Sequence, residues 1–460
     1  MERFYLKNLI DWYNSDLRKP LLIYGAHQIG KTTLIRDIFG AKYFKNVIYV
    51  DFKEEKNVRF YVKNHINPQE IIAYLEITKN KTIDKDTLII FDEVQECLPC
   101  LTSLKYFAQD FKELFVIATG NLVRTKLKLS KKENDKEILI NDGSNNFMSP
   151  IGKIDILVMY PLSFNEYLYN RNKKFYDFLK EQFNNKSVLD DQFHNLAKQY
   201  IFEYLSIGGM PEIVNTFLET GSFQKAKNQM APLFSTYLDD MTLYQMSNET
   251  LIRTRKVFNN VYLQLNKENK NFKISELEKD KRNRDYEYSI EWLKYAHIIF
   301  QSYLVKEIIK LPLRKENDSL YRIYMSDIGM LAYKSGINYE TFINPNRENE
   351  LTGPFIENYV ALELSFRNIP LYYWKGKTTS ELEFVLNVDN KIVVIDAKKN
   401  KGSMASLEKF REHNQKNLAI KVSMNKYGYD EEKELLTLPF YYLGFYLDEI
   451  KDKVDTFKED

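Results

Sequence analysis

The sequence is poor in cysteine, nearly neutral and free of long apolar runs, and each absence excludes a class of protein. Only 2 cysteines occur in 460 residues, too few for a secreted scaffold held together by disulfides. The 66 basic and 64 acidic residues leave a formal net charge of +2, so no global field draws the chain to nucleic acid or to an anionic membrane. No stretch approaches the ~18 apolar residues of a membrane span. We therefore expect a cytoplasmic protein with no membrane partner.

A glycine-rich segment near the N-terminus has the form of a phosphate-binding loop. It fits the pattern G-x-x-x-x-G-K-[ST], follows the apolar run 21–24 and leads into a helix-like run. The glycines permit backbone angles that a Cβ would block, so backbone N–H groups can surround a polyphosphate. The pattern predicts that Lys31 reaches the β- and γ-phosphates and that the Thr32 hydroxyl binds Mg²⁺. The predicted nucleotide-binding residues are Gly25, Ala26, His27, Gln28, Ile29, Gly30, Lys31, Thr32 and Thr33.

Two consecutive acids end a second apolar run and predict the other half of a nucleotide site. The run 88–91 is continuous, which is typical of a buried parallel strand, and it ends in Asp92 and Glu93. At the carboxyl end of such a strand, Asp92 is expected to support Mg²⁺ and Glu93 to orient the attacking water. Further strands at 46–51 and 114–119 predict a doubly wound sheet with the ligand at its carboxyl edge.

Several further motifs resemble those of bacterial and archaeal AAA+ ATPases that carry a C-terminal region of obscure role. They are D-E-V-Q at 92–95, Gly-Lys at 152–153, P-L-S-F-N-E-Y at 161–167, G-G-M-P-E at 208–212 and Y-M-S-D-I-G-M at 324–330. The resemblance runs from about Arg3 to about Phe410. It implies ATP and Mg²⁺ as ligands, and hydrolysis by attack of water on the γ-phosphate.

The same resemblance implies a γ-phosphate sensor after the strand 114–119, where this chain has Asn121. An ordinary turn residue is the alternative, because Gly-Asn is common in turns. Many relatives carry arginine where this chain has Lys153, and a lysine cannot supply the bidentate contact of an arginine finger. No residue is therefore assigned as a finger, and a homo-oligomer stays open.

The region 249–315 is expected to form a winged helix. A Ser275-x-x-Glu278 capping box and an amphipathic run at 289–296 predict two short helices, and such a pair suggests a helix-turn-helix. The resemblance agrees. DNA contact and a module that only packs domains both stay open, because acids dilute the basic residues between the helices. The basic residues are Lys279, Lys281, Arg282 and Arg284, and the acids are Asp280, Asp285, Glu287 and Glu291.

The last third resembles a PD-(D/E)XK nuclease. Glu357 lies early in a predicted helix, Glu383 lies on an alternating strand 381–386, and Asp396-x-Lys398 ends the strand 391–398. Glu383 and Asp396 are expected to share a second divalent metal that activates water, with Lys398 offsetting negative charge. Relatives usually have E-[VI]-D-F and E-[VI]-K, so the acid lengths are exchanged at both places here. A nuclease-derived fold kept for binding is the alternative.

The sequence thus predicts an α/β protein with a P-loop domain of AAA+ type and a restriction-endonuclease-like α/β domain at the end. The predicted ranges are 1–180 for the AAA+ domain, 181–248 for a helical lid-like region, 249–315 for the winged helix and 316–460 for the nuclease-like domain. We expect an ATPase coupled to DNA binding or processing. The alternative is a nucleotide-gated switch with an inactive nuclease-like domain that binds DNA or a protein partner.

Overall fold

The computed structural model describes residues 1–121, 152–243, 247–344, 348–377, 380–397, 404–414 and 416–454. Its contacts divide the chain into two units. The N-terminal unit comprises Glu2–Tyr160 and Tyr295–His297, and the C-terminal unit comprises Pro161–Lys294 and Ile298–Asp460 together with Met1. None of the helices in the described ranges is both long enough and apolar enough to cross a membrane.

A five-stranded parallel sheet forms the centre of the N-terminal unit. The strand order is β2-β3-β4-β1-β5, and every neighbouring pair is parallel. Every residue of β3 and β4 is buried, which accounts for their continuous apolar runs. The carboxyl ends of all strands meet at one edge, as predicted. The strands are β1 (Leu21–Tyr24), β2 (Asn46–Asp51), β3 (Thr87–Asp92), β4 (Phe115–Gly120) and β5 (Asp155–Val158).

Helices connect these strands and bury part of the sheet. Ile89 and Phe91 of β3 share one core with Val62, Ile71 and Leu104, which come from three different helices. The helices are α1 (Tyr5–Tyr13), α2 (Ala41–Tyr43), α3 (Lys56–Asn64), α4 (Pro68–Lys79) and α5 (Leu98–Asp110), with a π-helix at Thr33–Gly40 and a 3₁₀ turn at Val94–Glu96.

Two mixed sheets lie in the C-terminal unit. Their strand orders are β10-β11-β12-β14-β13 and β7-β6-β8-β9. In the first sheet, β10 and β11 form an antiparallel pair, and β12 and β14 follow β11 in parallel. The strands are β6 (Ile299–Leu304), β7 (Tyr321–Met325), β8 (Tyr372–Lys375), β9 (Glu381–Leu382), β10 (Phe384–Val388), β11 (Lys391–Ala397), β12 (Ala419–Ser423), β13 (Gly428–Asp430) and β14 (Leu435–Pro439).

The helices of this unit include one correction to the sequence prediction. The helix expected from the capping box at Ser275 is only a 3₁₀ turn, and no side chain caps it. Gln264 hydrogen-bonds both the N–H and the carbonyl oxygen of Lys273. These bonds hold Lys273, the residue before the turn, in an extended conformation. The helices are α6 (Phe164–Arg171), α7 (Lys173–Asn184), α8 (Asp191–Ile207), α9 (Pro211–Thr220), α10 (Phe223–Leu243), α11 (Asn248–Leu265), α12 (Asn283–Tyr295), α13 (Ile328–Ser335), α14 (Tyr339–Ile343), α15 (Glu348–Ser365), α16 (Ala405–His413) and α17 (Phe440–Ile450), with 3₁₀ turns at Ile274–Glu276 and Lys451–Lys453.

Three of the family-like motifs meet inside the C-terminal unit. The Asp327 carboxylate accepts hydrogen bonds from the N–H groups of Gly209 (2.7 Å) and Met330 (2.9 Å), and the Leu162 N–H donates to Gly209 O at 2.7 Å. A Cβ at Gly209 would lie 2.1 Å from Leu162 O, and one at Gly329 would lie 2.3 Å from Ile207 O. Both glycines therefore permit close backbone approaches that other residues would block.

Candidate nucleotide site

The loop that follows β1 requires glycine at two positions. Gly30 has φ +84°, and a Cβ at Gly25 would lie 2.1 Å from the carbonyl oxygen of Met159. Ala26 and Ile29 are buried, while Gln28 and Thr33 are exposed. The loop is thus fixed on its inner side by the core and by the residue that follows β5.

The Lys31 side chain folds back into this loop. Its Nζ donates to Gly25 O at 3.0 Å and to Ala26 O at 2.8 Å, and only 8 % of the residue is exposed. A positive charge therefore lies within the loop, just before a helix begins, which is a suitable place for an anionic phosphate.

His27 adds no charge to the loop near neutral pH. Burial lowers the pKa of its imidazole to about 3, and the positive charges of Lys31 and Lys53 act in the same direction. A histidine with so low a pKa is neutral across the physiological range.

Asp92 is the centre of a hydrogen-bond network at the carboxyl edge of the sheet. Its Oδ2 accepts from the hydroxyls of Thr32 (2.7 Å) and Tyr49 (2.9 Å). Its Oδ1 accepts from the Thr119 hydroxyl (2.8 Å) and from the Glu93 N–H (2.9 Å). The structure thus brings together Thr32 and Asp92, which were predicted from separate motifs.

Tyr49 and Thr119 belong to the site but were not predicted from the sequence. Tyr49 lies on β2 and Thr119 on β4, each near the carboxyl end of a predicted strand. Both strands are neighbours of β3. The rule that strand ends collect at one edge of a parallel sheet could have identified them.

Arg3 is a further residue that the motifs did not indicate. Its guanidinium donates to Ile29 O at 2.7 Å and to Tyr160 O at 2.6 Å, and 5 % of the residue is exposed. Arg3, near the N-terminal end of the chain, therefore connects the phosphate loop to the segment that follows β5. No local pattern links these residues, because the contacts arise only from the fold.

Glu93 and Asn121 are joined through Gln95. Glu93 has φ +55° and ψ 44°, a left-handed conformation that costs a non-glycine residue about 1 kcal/mol. Gln95 Nε2 donates to Glu93 Oε2, and Gln95 Oε1 accepts from the Asn121 N–H at 3.0 Å. A Cβ at Gly120 would lie 2.3 Å from Gln95 Oε1. The last residue of D-E-V-Q therefore connects the predicted water-orienting acid to the predicted sensor.

The surroundings of Glu93 disfavour its charge. Burial raises the pKa of its carboxyl group, and the charge of Asp92 raises it further, while Lys31 lowers it. A carboxylate with a raised pKa is a better proton acceptor than an exposed one, which suits a residue that is predicted to polarise water.

The acids predicted for a nuclease lie in a different setting. Glu357 Oε1 accepts from Arg322 Nη1 at 2.8 Å and from the Tyr324 hydroxyl at 2.5 Å, and its Oε2 lies 2.5 Å from Lys270 Nζ. Arg322 Nη2 also donates to Glu381 Oε2 at 2.7 Å. We call Lys270, Arg322, Tyr324, Glu357, Glu381 and Glu383 the Glu357 cluster.

Glu383 and Asp396 lie at neighbouring positions. The β10–β11 hairpin pairs Phe384 with Ile395, and the Ala397 N–H donates to Glu383 Oε2 at 3.3 Å. Both acids are buried, with 4 % of each exposed. Lys398 lies outside the described residues.

The donor set of the Glu357 cluster does not fit a divalent metal. Burial raises the pKa of Glu357, but the charges of Lys270 and Arg322 outweigh it and hold that pKa well below its usual range. Two cations thus already pair with its oxygens. Within the described ranges, no three or more His, Cys, Asp and Glu side chains are grouped to hold a metal ion.

Residues 17–168 match a family model described as an AAA domain. Residues 198–341 and 352–441 match models described as domains of unknown function (DUF8612 and DUF4143). Two proteins of Methanocaldococcus jannaschii, both named as uncharacterized, are similar. One is 28% identical over 224 residues, covering 47% of this chain and 41% of that protein. The other is 24% identical over 386 residues, covering 82% and 74%.

The chain therefore spans 41% of the length of the first of these relatives. A solved structure of a Walker-type ATPase from Pyrococcus abyssi has 14% sequence identity and a TM-score of 0.42, and the similarity covers 72% of this chain and 94% of that one. The AAA-domain range contains the phosphate loop, Asp92, Glu93 and all strands of the parallel sheet. This match indicates an AAA domain within residues 17–168.

Proposed function

We propose that the N-terminal unit binds MgATP at the carboxyl edge of its sheet and hydrolyses it. The observation that carries the proposal is the 2.7 Å hydrogen bond between Thr32 Oγ1 and Asp92 Oδ2. It joins the two motifs that bind metal and phosphate beside a lysine that is held inside the loop. The AAA-domain match over residues 17–168 supports the same chemistry.

Each residue then has a role that follows from its position. Lys31 supplies charge to the β- and γ-phosphates, and Thr32 and Asp92 would hold Mg²⁺. When bound, Mg²⁺ offsets the charge of the phosphates and orients them. Glu93 orients the water that attacks the γ-phosphorus as the bond to the bridging oxygen breaks, and Asn121 senses the γ-phosphate.

The proposal is tested by nucleotide binding and turnover. Lys31→Ala is expected to abolish binding of a fluorescent ATP analogue, because the only buried charge of the loop is lost. Glu93→Gln is expected to bind ATP and not to hydrolyse it. The matched control is Lys45→Ala, since Lys45 forms an exposed ion pair with Asp86 just before β2 and β3, at the opposite edge of the sheet.

Two results would reject the proposal. One is unchanged nucleotide binding in Lys31→Ala, and the other is failure of wild-type protein to bind adenine or guanine nucleotides in calorimetry. Normal turnover in Glu93→Gln would leave binding in place and remove Glu93 from its role.

A second candidate function is DNA binding by a winged-helix-like region. α11, the 3₁₀ turn and α12 precede the antiparallel β6–β7 pair, an order that supports this architecture. Lys279, Arg282 and Arg284 are exposed at or beside the turn that leads into α12, where a phosphate contact is expected.

Salt-dependent DNA binding tests this second function. Replacing Lys279, Arg282 and Arg284 by alanine is expected to weaken binding and to lower the slope of log K against log salt by about three, since each phosphate contact contributes about one. Replacing the exposed Lys174 and Lys180 is the control. Equal affinities in all three proteins would exclude this surface.

For the nuclease-like region we propose binding rather than cleavage. The hairpin that sets Glu383 beside Asp396 supports the nuclease-like arrangement, while the cations in the Glu357 cluster oppose its metal chemistry. Incubation of the protein with DNA and Mg²⁺ or Mn²⁺ is expected to leave the DNA intact. Cleavage that Asp396→Ala removes would establish a nuclease.

A further inference from the structure

Three carboxylates surround one ammonium group in the C-terminal unit. Lys270 Nζ lies 2.5 Å from Glu357 Oε2, 3.6 Å from Glu381 Oε1 and 3.9 Å from Glu383 Oε1. The side chains of Glu357 and Glu383 are 2 % and 6 % exposed. Several carboxylate oxygens around one point are the ligand type that Mg²⁺, Mn²⁺ and Ca²⁺ take in proteins. Here the positive charge at that point belongs to the chain itself.

The two residues that follow Lys270 in its loop are hydrogen-bonded to neighbouring strands. The Tyr373 hydroxyl donates to Asn271 Oδ1 at 2.7 Å, and the Phe272 N–H donates to Tyr321 O at 2.8 Å. Phe272 is itself 4 % exposed. Because β7 and β8 anchor the loop in this way, the position of the Lys270 side chain is built into the fold and is not a chance surface contact.

Arg322 completes the pairing of these acids. Its two Nη atoms bind Glu357 and Glu381, and none of its side chain is exposed. The guanidinium also lies 4.2 Å from the centroid of the Tyr373 ring. The cluster thus contains three acids and two cations, so the loss of one cation raises its excess of negative charge from one to two, which is strongly unfavourable at a buried site.

We propose that the Lys270 ammonium takes the place of a divalent metal ion among Glu357, Glu381 and Glu383, so that this unit carries its own permanent cation and uses no metal there. An ammonium and a metal ion cannot both occupy the centre, since each needs the same carboxylate oxygens. The ammonium distances to Glu381 and Glu383, 3.6 Å and 3.9 Å, exceed the 2.0–2.6 Å of metal–oxygen bonds. A metal would therefore have to draw the carboxylates inward, which the lysine prevents. This inference is independent of the proposed ATPase function.

The test is to remove the ammonium and ask whether a metal replaces it. Lys270→Met keeps the aliphatic stem, and Lys270→Gln keeps a polar end. Mn²⁺ is titrated into the nucleotide-free full chain, and free Mn²⁺ is followed by electron paramagnetic resonance. Both variants are expected to gain one saturable Mn²⁺ site that wild type lacks, and Mn²⁺ is expected to raise their Tm and not that of wild type.

Two controls separate this site from other metal binding. Lys267→Met removes a lysine from the same loop whose side chain is 47 % exposed and pairs with Glu276, and it is expected to behave as wild type. Glu357→Gln added to Lys270→Met is expected to abolish the gained site. Any Mn²⁺ bound at the phosphate loop is common to all these proteins and cancels in the comparison.

The proposal is overturned if both Lys270 variants fold, by circular dichroism, and bind no more Mn²⁺ than wild type. It is also overturned if wild type binds Mn²⁺ at a site that Glu357→Gln removes. Where the variants fail to fold alone, refolding with Mn²⁺ decides. Recovery of the native spectrum supports the proposal, and no recovery rejects it.

Discussion

Asp92 receives four hydrogen bonds, and three of them come from side chains on different elements. Groups that orient a metal-binding carboxylate commonly affect metal affinity or activity by 10–100-fold. Tyr49 and Thr119 have this orienting position, while Thr32 is also proposed as a metal ligand. Thr119 is therefore the cleaner probe, because valine has nearly its shape and lacks only the hydroxyl.

We expect Thr119→Val to lower ATP turnover by about 10–100-fold with little change in Tm. The measurement is kcat and KM for MgATP over a range of Mg²⁺ concentrations, where weaker metal binding shows as a higher Mg²⁺ requirement. Thr78→Val is the control, since the Thr78 hydroxyl donates to Tyr74 O on an exposed face of α4. A normal Mg²⁺ requirement in Thr119→Val would show that this hydroxyl does not orient Asp92.

The nucleotide motifs predicted the residues that are adjacent in sequence and missed those joined only by folding. Lys31, Thr32, Asp92 and Glu93 lie together because a loop and one strand end carry them. Arg3 contacts Ile29 and Tyr160, which are 26 and 157 residues away. No periodicity or spacing encodes such a contact, so it becomes visible only when the sheet has formed.

At the scale of secondary-structure elements, Asp327 caps α13 and also binds the turn before α9. Burial raises the pKa of its carboxyl group to about 6, while backbone N–H donors, including those of Gly209 and Met330, lower it. The side chain thus connects two elements through their backbone N–H groups. This contact accounts for the presence of glycines and an acid in two separate motifs.

We expect Asp327→Ala to lower the free energy of unfolding by about 2–5 kcal/mol, because each buried N–H left without an acceptor costs about 1–3 kcal/mol. The measurement is urea unfolding followed by circular dichroism. Asp190→Ala is the matched control, since Asp190 is an exposed N-cap that accepts from the Phe193 N–H, and its loss is expected to cost about 1 kcal/mol. If the two variants lost equal amounts of unfolding free energy, Asp327 would stabilise the fold no more than an ordinary N-cap does.

The sequence pattern predicted most strands and could not predict where a strand changes its partner. The run 381–386 was expected as one strand, yet β9 pairs with β8 through Leu382 and Trp374, while β10 pairs with β11. Alternation of side chains reports which residues are buried and contains no information on the neighbouring strand. The change of sheet falls at Glu383, the residue between β9 and β10.

At the scale of the whole molecule, the two contact units have separate sheets and separate candidate sites. The N-terminal unit contains the phosphate loop and Asp92, and the C-terminal unit contains the Glu357 cluster. The division into four domains at 180, 248 and 315 stays a prediction. The candidate nucleotide site and the Glu357 cluster therefore lie in different units. The effect of a ligand or mutation on the stability of each unit can be measured separately.

We expect heat unfolding of the full chain to show two transitions that respond to different changes. A ligand at 100 times its Kd stabilises the state that binds it by about 2.7 kcal/mol, which raises Tm by roughly 5–10 °C for a unit of this size. A non-hydrolysable ATP analogue with Mg²⁺ is expected to shift one transition in wild type and none in Lys31→Ala. Lys270→Met is expected to lower the other transition, because it removes one of the two cations that pair with the buried acids of the Glu357 cluster. Calorimetry that gave a single transition moved by both changes would mean that the units unfold together.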